Sequence, residues 1–142
     1  MAHALYASGF IFHPPTQQIL LQQTSPETVW SLIGGTHVST ETAEKAFQRI
    51  VKSVLKINIA LSSIHPIYAY IREDMGRKHS ILFAEILDIK KIPTKKGTLF
   101  TWFSRKQITK LPLDPQTKQD IIVGQRVIDS RLREVLGEHN LT

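Results

Sequence analysis

Two apolar stretches, residues 4–12 and 18–23, are separated by His13-Pro14-Pro15-Thr16, and the pair predicts a hairpin. After a second break at Ser25-Pro26-Glu27-Thr28, Val29-Trp30-Ser31-Leu32-Ile33 reads as a short strand ending at Gly34-Gly35. The missing side chains of that glycine pair permit a tight turn or a close backbone approach. The period then changes. Ala43, Ala46, Phe47, Ile50, Val51, Val54 and Leu55 recur at helical spacing, Thr42 stands where an N-cap belongs, and Glu44 puts negative charge in the first turn. Glu44, Lys45, Gln48, Arg49, Lys52 and Lys56 form the opposite, polar face.

Residues 66–72 and 78–89 read as two strands joined through Glu73-Asp74-Met75-Gly76-Arg77, where Asp and Gly supply turn chemistry. Residues 98–103 are a further strand. Ser104 caps a short helix over 105–111, and Pro112 and Pro115 interrupt the chain. A last helix is expected over 117–136, with Ile121, Val127, Ile128, Leu132, Val135 and Leu136 on its buried side and Gly137 ending it. There are no repeats or low-complexity tracts, so residues 1–142 are expected to form one domain mixing α and β structure.

At 142 residues, a single core suffices, with about two-thirds of the unfolded surface buried on folding. The absence of cysteine excludes disulfides, zinc-thiolate centres and thiol nucleophiles. No apolar run is long enough to span a membrane, and the N-terminus lacks a secretion-signal layout. A cytoplasmic protein with no membrane partner is therefore expected. The net charge of +6 favours anionic partners. Lys90, Lys91, Lys95 and Lys96 cluster around Pro93 and Gly97 as a basic loop, but no aromatics are interleaved with them, so nucleic acid is not an expected partner. The histidines show no metal-binding spacing.

One stretch carries chemistry. Gly35, Glu41 and Arg49 in GTHVSTETAEKAFQRIVKSVLKI, with Val51 and Ile57, stand at the spacing of the Nudix box. Leu20-Leu21-Gln22-Gln23 resembles the leucine-rich strand before that box, and Val29 to Gly35 its tryptophan-containing entrance. Residues 79–87, which include Glu85, resemble the strand after it, and Thr101-Trp102-Phe103-Ser104 the later tryptophan strand. Nearly the whole chain thus resembles the Nudix hydrolase superfamily. The resemblance implies an α+β fold, an α/β/α sandwich in which a mixed sheet is flanked by helices.

The box departs from the family pattern where that pattern holds metal. Ile50, Ser53, Val54 and Lys56 occupy the places of three glutamates and a glycine. Carboxylates at 50, 53 and 54 would project together from one helical face as hard oxygen ligands for magnesium; two aliphatics and a hydroxyl supply no such set. No cofactor is therefore expected. The preferred reading is a catalytically weak or inactive module that binds a nucleotide, a phosphorylated metabolite or a protein, with Gly34, Gly35, Arg49 and Arg77 as ligand-binding candidates; Phe10, Trp30 and Tyr68 could stack on a base but are more readily explained as core or solvent-facing residues. The other reading is a Mg- or Mn-dependent pyrophosphohydrolase acting on a nucleoside diphosphate linked to another group. By resemblance its catalytic candidates are Glu41, Arg49 and Glu85. Glu41 and Arg49 are also expected to persist as a structural ion pair. Relatives often pair, so a homodimer is a further expectation.

Overall fold

The structure, a computed structural model, describes residues 3–25, 28–88, 92 and 96–140, with side chains to 137. Its centre is β1 (Ala4–His13) in a six-stranded mixed sheet. The order is β4 (Ile64–Arg72), β5 (Arg77–Glu85), β1, β2 (Gln18–Thr24) and β6 (Thr98–Phe103), with β3 (Ile33–His37) also paired to β1. β1 runs parallel to β5 from Ala4↔Arg77 to Phe12↔Glu85. Its other edge is shared: Leu5 to Gly9 pair with β3, and Ile11 to His13 pair with β2. That division lets the chain leave β2 and return one half-strand earlier, which delivers Gly35 to the next helix.

Strand alternation divides the core into two layers. Ala7, Ile11, Leu20, Leu82 and Ala84 face helix α1 (Ala43–Leu55), whose Ala46, Phe47, Ile50, Val51 and Leu55 are buried against them. Phe10, Phe12, Ile19, Leu21, Ile81 and Phe83 face the other way, toward Ile108 of α2 (Arg105–Ile108) and Ile121 and Ile128 of α3 (Pro115–Asn140). Each fully buried Phe or Ile contributes about 1.5–3 kcal/mol. The architecture is the α/β/α sandwich expected from the sequence. The hairpin of β1 and β2, the 98–103 strand and helix α1 with its Thr42 cap all form as expected. No helix among the described residues is long and apolar enough to cross a membrane.

Four expectations need correction. Residues 29–32 are not a strand; only Ser31 makes an isolated bridge, to Gln22, and β3 begins at Ile33 because that is where β1 offers a free edge. The strand expected over 78–89 ends at Glu85, with Ile89 outside the described residues. The 105–111 helix stops at Ile108, after which Lys110 N–H donates to the Gln107 carbonyl in a tightened last turn. Finally, α3 continues through Gly137 to Asn140, and Leu132, Val135 and Leu136 are half exposed rather than buried. Helical periodicity marks a side but not how far the sheet beneath it reaches. Of the basic loop, Lys90, Lys91 and Lys95 lie outside the described residues, and Lys96 is exposed.

Candidate functional site

Helix α1 begins where Thr42 accepts the Lys45 N–H, and this sets the angle at which the preceding loop meets the helix. Glu41 lies just before the cap and Arg49 two turns into the helix. Both Arg49 donors reach the carboxylate at 2.9 Å, and Arg49 also donates to the Thr36 carbonyl at 3.3 Å. The hydrogen bond from Arg49 holds the Glu41 carboxyl below its usual value, and Glu41 in turn raises Arg49. The pair ties loop, helix and β3 together, as expected of a structural ion pair. Both carboxylate oxygens are occupied by it.

Of the three positions that hold metal in the box pattern, Ile50 is packed into the core, Val54 is half-buried and Ser53 is exposed. Ile50 is 6% exposed, and its Cδ1 lies 3.2 Å from where a Cβ on Gly35 would stand. Val54 packs against the α1 layer of the core. Among the described residues no three His, Asp or Glu side chains come together as ligands. Glu85 sits at the far end of β5, 3.9 Å from both His65 and Arg131. The residues present do not fit a divalent ion. Lys56 still has the left-handed backbone (φ 58°) of a helix-ending glycine.

The glycine pair serves packing as well. A Cβ on Gly34 would lie 2.5 Å from Ser8 Cβ and 2.8 Å from the Ala7 carbonyl oxygen, so β3 approaches β1 only without one. Arg49 and Arg77 line no common cavity, and α1 and the Arg77 side chain lie on opposite faces of the sheet. Phe10 is wholly buried, Trp30 packs edge-on against Phe103, and Tyr68 donates to Asp120.

The face opposite α1 holds a cavity of about 200 Å³, walled by β1, β4, β5 and the start of α3. Tyr6, His79 and Tyr70 are register neighbours on three strands, and their rings stack at 4.9 and 5.6 Å. Arg77 lies over Tyr6 at 4.8 Å, and Arg72 is also in the wall. Asp120 is 3% exposed and accepts from Tyr68 at 2.6 Å, Tyr70 at 3.0 Å and Gln116 at 3.0 Å. Burial, and then Asp120, pushes both tyrosine hydroxyls well above their usual pKa, so they remain donors across the physiological range. Asp114 caps α3 by accepting from the Gln116 and Thr117 N–H groups.

His79 is the strained member of this wall. It is 8% exposed, and its Nε2 has no hydrogen-bond partner among the described residues. Burial lowers its pKa, with Arg77 and Arg72 adding repulsion. Below the ordinary value of 6.5 the unfolded chain takes up a proton here that the folded chain refuses. Stability is therefore complete above that pH and falls as the pH drops through it toward the folded-state pKa. His65, lowered first by burial and then by Arg131, acts in the same direction. Urea denaturation at about pH 7.5 and about pH 5.5 should show this loss, and His79→Gln should reduce it, leaving the part due to His65; an unchanged slope in the variant would refute the assignment.

Sequence reasoning did not find this cluster. Two signals were available: the Tyr68-x-Tyr70 alternation, and a carboxylate, Asp120, on the apolar stripe of α3 beside Ile121.

No family profile matches the chain, and no curated protein sequence matches it. Solved structures do. A MutT/nudix family protein from Listeria innocua superposes with a TM-score of 0.73 at 14% identity, over 93% of this chain and 98% of that one. The Nudix domain of Shewanella oneidensis NrtR, solved as a complex with ADP-ribose, gives 0.68 at 18% identity over 90% of each chain. A MutT/nudix family protein from Enterococcus faecalis gives 0.60 at 18%, over 72% of this chain; the match spans 44% of that protein's length. The chain has a Nudix fold.

Proposed function

We propose that the protein is a Nudix-fold binding module for a nucleotide or other phosphorylated ligand, with weak or no hydrolytic activity. The observation that carries this is the cavity opposite α1, where a three-ring stack, two arginines and buried polar groups converge. A cavity of about 200 Å³ is smaller than the roughly 300–1,000 Å³ of a site for a drug-sized molecule, so it takes one ring-sized moiety. The phosphates then emerge toward Arg77, whose planar guanidinium exchanges its stacking on Tyr6 for charge-assisted bonds. The NrtR domain's complex with ADP-ribose supports the ligand class.

The degenerate box supports the weak catalysis. The Nudix fold and the retained Gly35, Glu41 and Arg49 favour the pyrophosphohydrolase reading, but Glu41 is committed to Arg49 and Glu85 lies elsewhere, near His65 and Arg131, so neither candidate carboxylate is placed to hold its metal beside α1. Amide NMR titration with ADP-ribose, nucleoside mono-, di- and triphosphates and nucleotide sugars tests the proposal. One ligand class should shift the amides around Tyr6, Tyr70 and His79, and Arg77→Ala should weaken it about tenfold. Shifts confined to α1, or none with any compound, would reject it.

A further inference from the structure

A second cavity, of about 750 Å³, runs along the solvent side of α1, on the opposite face of the sheet from the proposed ligand pocket. Gln48, Arg49, Lys52, Ser53, Lys56, Asn58 and Ile59 line it. Three of these side chains are cations, and none is a carboxylate. One cation, Arg49, is neutralised by Glu41; Lys52 and Lys56 form no ion pair among the described residues. The far wall is fixed, because the Gln48 amide donates to the Ile59 carbonyl at 2.7 Å and holds the chain after α1 against the helix.

Lys56 makes the groove more than a patch of surface charge. It is one of two non-glycine residues with positive φ among those described, and its left-handed backbone is one that glycine adopts without the Cβ penalty of about 1 kcal/mol or more. The fold accepts a strained backbone at a position where a lysine ammonium completes the groove. The same helix that carries acidic metal ligands in the Nudix box pattern presents here a hydroxyl, Ser53, between two lysines. A divalent cation would be repelled; an anion would not.

We propose that this groove binds a free oligophosphate anion directly, through Lys52, Lys56 and Ser53, with no bridging divalent ion. Arg49 to Lys56 spans eight residues, about 10 Å along the helix axis, so several phosphate groups fit side by side along it. Lysine ammonium groups act as point charges toward each phosphate, and Ser53 and Asn58 supply neutral donors. No aromatic side chain lines the groove, so it offers a nucleic acid strand no stacking platform. The site is independent of the pocket beside His79.

The test is calorimetric titration with inorganic tripolyphosphate in EDTA. Wild type should bind one equivalent, and Lys52→Ala should weaken binding about tenfold. Lys56→Gly should weaken it similarly while raising the denaturation midpoint, a separation that a merely structural lysine would not produce. Lys45→Ala, on the same helix outside the groove, and Arg77→Ala, in the other pocket, should leave binding unchanged. The proposal is overturned if tripolyphosphate binds only with Mg²⁺, if the Lys45 variant loses as much as the Lys52 variant, or if no binding occurs. A single-stranded RNA that outcompetes tripolyphosphate at these lysines would overturn the assignment to a free oligophosphate.

Discussion

With Mg²⁺ or Mn²⁺ and a panel of nucleoside triphosphates, dinucleoside polyphosphates and nucleotide sugars, the protein should release phosphate or pyrophosphate roughly a thousandfold more slowly than a Nudix-fold enzyme with an intact box. A metal ion's stabilisation of developing charge is worth several kcal/mol, and each ~1.4 kcal/mol is tenfold in rate. The structure leaves little room for recovering that term. Ile50 is turned into the core over Gly35, Ser53 has no anionic oxygen, and Val54 is packed. Glu41, the carboxylate retained from the box pattern, is occupied on both oxygens by Arg49. Restoring glutamates at 50, 53 and 54 together would put a charge into the core at position 50, so any gained metal affinity should come with a lower denaturation midpoint. Rapid metal-dependent turnover by the natural chain would overturn the reading of the helix.

The largest stability effect is expected from one methyl group. Gly9 sits mid-strand in β1, and a Cβ there would stand 2.0 Å from the Leu82 carbonyl oxygen, 2.8 Å from its carbon and 3.1 Å from the Phe47 ring. The obstruction is the backbone of β5, which a side-chain rotation cannot relieve. Gly9→Ala must therefore part β1 from β5 at the centre of the sheet, at a cost of about 3 kcal/mol. That is a large fraction of the ~5–15 kcal/mol by which domains are typically stable. Gly137→Ala is the matched control: it lies in α3 with nothing within 4 Å of the added carbon, and the change should stabilise by up to about 1 kcal/mol. Urea midpoints for the two variants should move in opposite directions; a tolerated Gly9→Ala would mean that β1 and β5 are not in this register.

Local pattern carried much of this fold. The period of α1, the Thr42 cap and the 98–103 strand depend on neighbours in sequence, and each forms with the expected boundaries. The Glu41–Arg49 pair was legible for the same reason, since loop and helix are contiguous. What failed depended on distant partners. β3 starts four residues later than the apolar run suggests because β1, not local propensity, decides where pairing begins. Leu132, Val135 and Leu136 follow the helical period, yet nothing among the described residues covers them. The pocket was illegible because Tyr6, Tyr70, His79 and Asp120 come from β1, β4, β5 and α3 and meet only when the parallel pairing of β1 with β5 is made.

The proposed metal-free binding is tested most directly by calorimetric titration of ADP-ribose and a nucleoside triphosphate, once in EDTA and once in excess Mg²⁺. A one-to-one isotherm is expected for the preferred ligand, with the same Kd in both, weakened about tenfold by Arg77→Ala. A ligand that binds only when Mg²⁺ is present, with the protein itself taking up the ion stoichiometrically, would contradict it.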